Sequence, residues 1–220
     1  MIRLHHIPAS RSFRVLWLLT EMGLDCEIGA YAITDGSLRA PEFLAKSPAG
    51  RVPALDIDGL TLFESGAIVE YLCETRPGPG LGRLAGDPER SQFLEWLHFA
   101  ETQAHLIANL NLQHLFLKDA SHASPTVMKI ETSRLAGTLK AMEKRLQGQD
   151  WLLASGFSAV DIMMGYNLFT AGYFVRLEAF PALQAYRARI EARPAYLAAR
   201  AKDGPQAFFN KDFYEVPAGS

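Results

Sequence analysis

Polar residues at two predicted helix starts are the groups of this sequence best placed for chemistry. At one of them, Glu64 and Ser65 precede an apolar run at helical spacing over residues 68–73. The first N–H groups of a helix have no partner within the helix, and they attract anions. Ser65 is therefore predicted to lie at an anion-binding helix N-terminus.

Val52 and Pro53 come before this helix and directly before a short strand candidate, residues 54–57. Because proline cannot donate a hydrogen bond to a sheet ladder, Pro53 is expected to begin an edge strand or to lie in a turn. Its peptide bond with Val52 can be cis. The backbone of Val52 is then left to pair with a group other than a neighbouring strand.

Ser10 and Ser12 mark the other predicted helix start. They precede an apolar run over residues 15–19, and Gly23 behind that run suits a helix C-terminus. Serine is a favoured N-cap because its hydroxyl oxygen accepts a backbone N–H of the first turn. Either serine can fill this position, and the sequence alone leaves the choice open.

The elements that must position these groups are short strands and helices, followed by a segment rich in proline and glycine. Asp58-Gly59 between two short apolar segments predicts a hairpin, because Asp-Gly suits a type I′ turn. Two prolines and three glycines within residues 76–82 cannot continue a helix, so this region is predicted to be an interdomain linker. Strands are predicted at residues 2–7, 26–32, 54–57 and 60–63, and helices near residues 15–21, 41–46 and 65–73.

Beyond residue 88 the apolar residues recur with the period of a helix. One long helix is predicted over residues 93–117, a second begins at Pro125, and two more begin at later prolines. Ser158, with Asp161 three residues on, resembles a capping box at the start of another helix. The predicted domains are residues 1–77, a linker at residues 78–87, and an all-helical domain of residues 88–220.

Composition narrows the class of partner. The 220-residue chain has a net charge of -2 and an isoelectric point near 6.3, which provides no electrostatic footprint for nucleic acid or an anionic membrane. No apolar stretch of about 18 residues could span a bilayer. Cys26 and Cys73 are too far apart for a redox Cys-x-x-Cys motif or a zinc pair, and their apolar neighbours favour inert buried thiols. We therefore expect a small-molecule or protein partner, no metal, no disulfide and a cytosolic location.

The Val-Pro, Glu-Ser and Ser-x-x-Asp signatures, in this order and spacing, resemble those of the glutathione transferase superfamily over nearly the whole chain. The resemblance implies an α/β domain of thioredoxin-like fold, with a cis Val52–Pro53 peptide bond, followed by an all-α domain. It implies that the Val52 backbone pairs with the cysteinyl part of glutathione beside Pro53, while Glu64 and Ser65 hold the γ-glutamyl end. Candidates for the glycyl carboxylate are Arg39 and Arg51.

The resemblance also implies a serine-type mechanism. The thiolate is the nucleophile, and a thiol with a pKa of about 8.5 is only a few per cent ionised at pH 7, so the thiol pKa must be lowered. Ser10, four residues before Arg14, matches the catalytic serine of theta- and delta-like members, and Ser12 is the alternative. Residues 1–20 contain no tyrosine or cysteine, which argues against the tyrosine-type and cysteine-type mechanisms.

In the helical domain, residues 95–105 resemble the corresponding helix of bacterial beta-class transferases. A histidine at the position of His105 approaches the glutathione sulfur in that class. His105 is therefore a candidate for the electrophile pocket, and Gln103 is a candidate for a further glutathione contact. Phe208, in the aromatic-rich tail, is a second candidate for the pocket because this tail can fold over its mouth.

The leading prediction is a homodimeric glutathione S-transferase that conjugates glutathione, its co-substrate, to an electrophilic small molecule in detoxification. Two alternatives stay open. One is glutathione-dependent disulfide exchange or peroxidase activity, in which glutathione supplies every thiol. The other is a non-catalytic member of the fold that binds glutathione or apolar ligands.

Overall fold

A four-stranded mixed sheet forms the centre of the N-terminal part of the chain. The computed structural model describes residues 1–217, and its strands are β1 Arg3–His6, β2 Glu27–Ala30, β3 Ala54–Ile57 and β4 Leu60–Phe63. Their order in the sheet is β2-β1-β3-β4, with β1 parallel to β2 and antiparallel to β3. The turn from β3 to the antiparallel β4 has positive φ at both Asp58 and Gly59, as a type I′ hairpin requires.

Eight α-helices accompany this sheet in the part of the chain that the structure describes. The predicted long helix ends in a π-helical turn, Leu112–Phe116. The helices are α1 Ser12–Glu21, α2 Pro41–Leu44, α3 Ser65–Thr75, α4 Arg90–Asn111, α5 Pro125–Leu146, α6 Ala159–Ala171, α7 Pro181–Glu191 and α8 Pro194–Asp203.

By packing, the chain forms two compact units, Met1–Arg90 with Glu191–Ala207, and Ser91–Ile190 with the segment that follows Ala207. The final helix α8 therefore belongs to the first unit, where it packs along α1. Trp17 contacts Tyr196 edge-on with ring centroids 5.0 Å apart, which fixes the two helices together. The predicted division at residues 78–87 follows chain order, whereas this packing returns the last helix to the N-terminal unit.

The second unit is helical and is organised around α6. This helix is buried on nearly all sides, as expected for a helix that is apolar all round. Its start carries the predicted capping box, in which the Ser158 backbone N–H donates to the Asp161 carboxylate at 2.8 Å. A small mixed sheet with helices, together with a helical second unit, confirms the predicted fold class.

Candidate active site

A polar cleft in the first unit brings together three segments of the chain: the start of α1, the loop before β3 and the start of α3. Five residues that the sequence singled out line this cleft, although they come from two separate segments. Two further lining residues were not predicted. The lining residues are Arg11, Ser47, Arg51, Val52, Pro53, Glu64 and Ser65.

The loop before β3 is held in shape by its own polar groups. The buried Ser47 hydroxyl donates to the Arg51 carbonyl at 2.7 Å and accepts the Arg51 backbone N–H at 3.3 Å. Gly50 has a φ of 60°, and a Cβ there would lie only 2.7 Å from a backbone oxygen. The loop ends in the Val52–Pro53 peptide bond, which is cis. This closed loop presents Val52 to the cleft.

The start of α3 combines an unusual backbone conformation with an open polar surface. Glu64, at the N-cap position, has a φ of 69° and a ψ of 116°, and its side chain makes no capping hydrogen bond. A non-glycine residue in this region is strained by about 1–3 kcal/mol, and such residues cluster at functional sites. Glu64 is exposed at the cleft, whereas the neighbouring Ser65 is buried against the protein.

Arg14 connects helix α1 to the start of α3 through a buried hydrogen bond. Its side chain is fully buried in α1, and its guanidinium donates to the Ser65 hydroxyl oxygen at 2.9 Å. A hydrogen bond from a charged donor is stronger than one between neutral groups, so this contact fixes the position of Ser65. The sequence offered only a weak signal, an arginine within the apolar run of α1.

The cleft carries charges of both signs. Arg11 and Arg51 supply cations, and Glu64 supplies a carboxylate. The first turn of α3 adds backbone N–H groups and the positive end of the helix dipole. The arrangement suits an extended ligand that carries both carboxylates and an ammonium group.

Ser10 and Ser12 lie at the start of α1, next to Arg11. Their hydroxyl oxygens are 2.7 Å apart, and Ser12 is fully buried while Ser10 is only partly covered. The helix begins at Ser12 with Arg11 at its N-cap position, so neither serine fills the N-cap. Instead, the Ser10 hydroxyl oxygen accepts the Ser12 backbone N–H at 3.2 Å. Ser10 is therefore the more exposed of the two serines, whereas the residues that line the cleft include Arg11 and neither serine. Its contact with a ligand stays a prediction.

Comparison with known proteins places this chain in a family. Residues 1–74 match the glutathione S-transferase N-terminal domain, and residues 111–200 match the glutathione S-transferase C-terminal domain. Glutathione S-transferase 3 of Schizosaccharomyces pombe is 30% identical over 183 residues, which cover 78% of this chain and 74% of that protein. The chain belongs to the glutathione S-transferase family.

Two further relatives show the breadth of this family. The disulfide-bond oxidoreductase YfcG of Escherichia coli is 32% identical over 206 residues, covering 86% of this chain and 90% of that protein. A sphingomonad glutathione S-transferase, solved in complex with glutathione, is 29% identical with a TM-score of 0.80. The match covers 91% of this chain and 98% of the sphingomonad chain. Membership of the glutathione S-transferase family supports a glutathione-dependent activity.

The remaining predicted site residues lie in different surroundings. Arg39 is exposed and donates to the Ala49 carbonyl at 3.5 Å, outside the cleft lining. Gln103 is fully buried in the second unit, where its amide donates to the Thr138 hydroxyl at 2.9 Å. Within the described residues, the Oε1 atom of this amide is buried and has no hydrogen-bond partner. The assignment of Gln103 to a glutathione contact stays a prediction.

His105 and Phe208 also belong to the second unit. His105 is exposed, with its Nε2 atom 3.4 Å from the Asn109 amide. Phe208 is half-buried and packs edge-on against Phe116, with ring centroids 5.9 Å apart. Their assignment to an electrophile pocket stays a prediction.

Neither cysteine is disposed to act as a nucleophile. Both are free, and burial raises the pKa of Cys73 to about 12 and also raises the pKa of Cys26. Within residues 1–217, no group of three histidine, cysteine or acidic side chains could hold a metal ion. Over the same residues, no helix is long and apolar enough to cross a membrane.

Proposed function

We propose that the protein is a glutathione transferase that binds glutathione in this cleft and adds its thiolate to an electrophilic small molecule. The observation that carries the proposal is the convergence of the Val52–Pro53 segment with Glu64 and Ser65 in one charged cleft. Family membership and the relative solved with glutathione support the choice of ligand.

Each part of the tripeptide has a partner of matching chemistry. The Val52 backbone pairs with the cysteinyl backbone of glutathione beside Pro53. Glu64 accepts from the γ-glutamyl ammonium, and Ser65 with the first N–H groups of α3 binds the γ-glutamyl carboxylate. Arg51 meets the glycyl carboxylate. The alternative partner Arg39 is exposed outside the lining, so it contacts only a ligand that extends beyond the cleft.

Catalysis then depends on ionisation of the bound thiol. The thiol loses its proton to solvent, and the thiolate sulfur forms a bond to the electrophilic carbon while the leaving group departs with the bonding electrons. A lowering of the thiol pKa by about two units corresponds to roughly 2.7 kcal/mol of preferential stabilisation of the thiolate. The Ser10 hydroxyl, as hydrogen-bond donor at the start of α1, supplies part of this stabilisation.

Glutathione-affinity retention and conjugation to a chloronitroaromatic compound test the proposal together. We expect the protein to bind the resin, to elute with free glutathione, and to catalyse conjugation. Failure to bind glutathione at millimolar concentration would overturn the proposal.

Glutathione-dependent disulfide exchange is the second candidate, and the 32% identity with the disulfide-bond oxidoreductase YfcG favours it. Because burial raises the pKa of both cysteine thiols, glutathione has to supply every reacting thiol. Hydroxyethyl disulfide and an organic hydroperoxide, assayed beside the chloronitroaromatic compound, separate disulfide exchange and peroxidase activity from conjugation.

A non-catalytic glutathione-binding role is the third possibility, and binding without turnover of any of these substrates is its expected signature. The electrophile contacts of the helical unit, the homodimer, the detoxification role and the cytosolic location stay predictions. Size-exclusion chromatography with light scattering tests the homodimer directly.

A further inference from the structure

A chain of hydrogen bonds leads from the Ser10 hydroxyl into the protein. Ser10 Oγ lies 2.7 Å from Ser12 Oγ, which lies 2.8 Å from His6 Nδ1. His6 Nε2 in turn lies 3.2 Å from both the carboxylate and the backbone carbonyl of Asp203. All four residues belong to the first unit, although His6 and Asp203 are 197 positions apart in the chain.

Asp203 occupies an unfavourable position for an acid. It is the last residue of α8, where the helix dipole opposes a negative charge, and its side chain is fully buried. Its carboxylate accepts from Arg200 at 2.7 Å and from the backbone N–H of Ala9 at 3.3 Å. Ala9 has a φ of 57°, so Asp203 also holds the left-handed residue that directly precedes Ser10.

The positions of the hydrogen atoms determine which group donates and which accepts in each hydrogen bond from His6 to Ser10. His6 Nε2 faces two acceptors, a carboxylate oxygen and the backbone carbonyl oxygen of Asp203. Nε2 therefore carries a hydrogen. If Nδ1 is unprotonated, it accepts the single hydroxyl hydrogen of Ser12. Ser12 then accepts from Ser10, and the Ser10 hydrogen points into the protein.

Protonation of His6 on both ring nitrogens reverses the chain. Nδ1 then donates to Ser12, whose single hydrogen can go to Ser10 Oγ at 2.7 Å or to the Ile7 carbonyl oxygen at 3.2 Å. The shorter contact favours Ser10 as the acceptor, and the Ser10 hydrogen is then left to point outward. The buried Asp203 carboxylate is the charged group that faces His6 Nε2, and Arg200 contacts the other carboxylate oxygen of Asp203. Only this direction lets the Ser10 hydroxyl donate to a thiolate.

We propose that His6 and Asp203 are positioning residues, which orient the Ser10 hydroxyl so that it donates to the glutathione thiolate. The proposal rests on the function proposed above. His6 and Asp203 act through Ser12 and touch neither glutathione nor the electrophile. Their effect is on the thiol pKa of bound glutathione rather than on its affinity.

The same strand offers a matched control. His5 is as buried as His6, at 2% exposure, and its Nε2 atom lies 2.9 Å from the Asp56 carboxylate. Its Nδ1 atom contacts the Tyr31 hydroxyl at 2.9 Å instead of a serine. Replacement of His5 therefore removes a buried imidazole paired with a partly exposed acid, without altering the hydrogen-bond chain that leads to Ser10.

Two variants of His6 separate the two ring nitrogens. In His6→Asn the side-chain amide lies near the former Nδ1 position and can donate to Ser12, whereas in His6→Gln it lies near the former Nε2 position and can reach only Asp203. The measurement is the thiol pKa of enzyme-bound glutathione, from a pH titration of thiolate ultraviolet absorbance, together with the Kd of S-methylglutathione.

We expect His6→Gln to raise the bound-thiol pKa by about half a unit to one unit, a three- to tenfold change in ionisation. His6→Asn and His5→Gln should stay near the wild-type value, and the Kd of S-methylglutathione should not change. An unchanged thiol pKa in His6→Gln, or equal shifts in His6→Gln and His5→Gln, overturns the positioning role. If the wild-type protein does not lower the thiol pKa of glutathione at all, the proposed function itself fails.

Discussion

The starts of α3 and α6 have similar polar residues and opposite roles. Each start has one serine and one acid, and each precedes an apolar helix. At α6 the Asp161 carboxylate is buried and accepts the backbone N–H groups of Ser158 and Leu152, at 2.8 and 3.0 Å. At α3 the Glu64 side chain makes no capping hydrogen bond and lines the cleft.

The position of the acid relative to the first turn explains this difference. Asp161 lies at the third helical position, from which its carboxylate reaches back to the helix start and satisfies the backbone. Glu64 precedes the helix in a strained conformation, and its carboxylate makes no capping hydrogen bond to the first turn. One acid therefore stabilises the fold, and the other is available to a ligand.

The largest expected effect is on folding, from Asp161→Ala. Leu152, Ser158 and the Tyr186 hydroxyl lose a buried acceptor, and each unsatisfied donor costs about 1–3 kcal/mol. We expect the free energy of unfolding, measured with urea, to fall by about 3 kcal/mol or more. Asp161→Asn keeps one acceptor oxygen, so its free energy of unfolding should fall by less. A variant as stable as wild type would contradict the structural role of this cap.

The same acid should make stability depend on pH. Burial raises the pKa of Asp161 from 3.8 to about 6, although hydrogen bonds from Leu152, Ser158 and Tyr186 act in the opposite direction. The folded protein thus binds this proton more tightly than the unfolded chain, and the stabilisation is present below about pH 4 and lost as pH rises through about 6. The difference in unfolding free energy between wild type and Asp161→Asn should fall by at most about 3 kcal/mol across this window. If the difference in unfolding free energy between wild type and Asp161→Asn grows as pH rises, the raised pKa of Asp161 is contradicted.

Glu64→Gln tests the opposite role of the acid at α3. Loss of a charge-assisted hydrogen bond to the γ-glutamyl ammonium, about 1.5–3 kcal/mol, should raise the KM for glutathione by roughly 10- to 100-fold. The melting temperature should hardly change, because Glu64 is exposed and caps nothing. Glu42→Gln, at an exposed glutamate of α2, serves as the control and should leave KM unaltered. Equal KM values for Glu64→Gln and wild type would remove Glu64 from the site.

Ser10→Ala distinguishes catalysis at α1 from binding at α3. Loss of the hydroxyl donor should lower kcat by tenfold or more, about 1.4 kcal/mol, with glutathione affinity little changed. Steady-state conjugation kinetics and a separate Kd measurement check both parts. Full activity of Ser10→Ala would mean that Ser12, or no side chain, donates the hydrogen bond to the thiolate. The activity of Ser12→Ala decides between these two outcomes.

The smallest expected effect is the change in stability of Glu64→Gly, a variant that separates strain from charge. Glycine tolerates the positive φ at this position, so the variant should gain about 1 kcal/mol of stability and melt a few degrees higher. Its KM for glutathione should nevertheless rise as in Glu64→Gln. Glu64→Ala removes the same carboxylate but keeps the strain, and a melting temperature equal to that of Glu64→Gly would argue against strain at this residue.

Much of the fold follows from local pattern. The Asp58-Gly59 hairpin, the capping box at Ser158 and the order of strands and helices in the first unit depend on turn chemistry and periodicity over a few residues. The placement of α8 was not predictable in this way. Helical periodicity shows that a helix has an apolar face, but it does not identify the surface that covers this face.

The sequence by itself determined the start of α3, with its unpaired backbone N–H groups, and the Val52–Pro53 segment, because unsatisfied backbone groups and proline chemistry are properties of short stretches. Only the tertiary structure decided which serine is buried, placed Arg14 beneath Ser65, and brought Asp203 to His6. These contacts join residues that are far apart in the chain, and packing selects such partners after the local elements have formed.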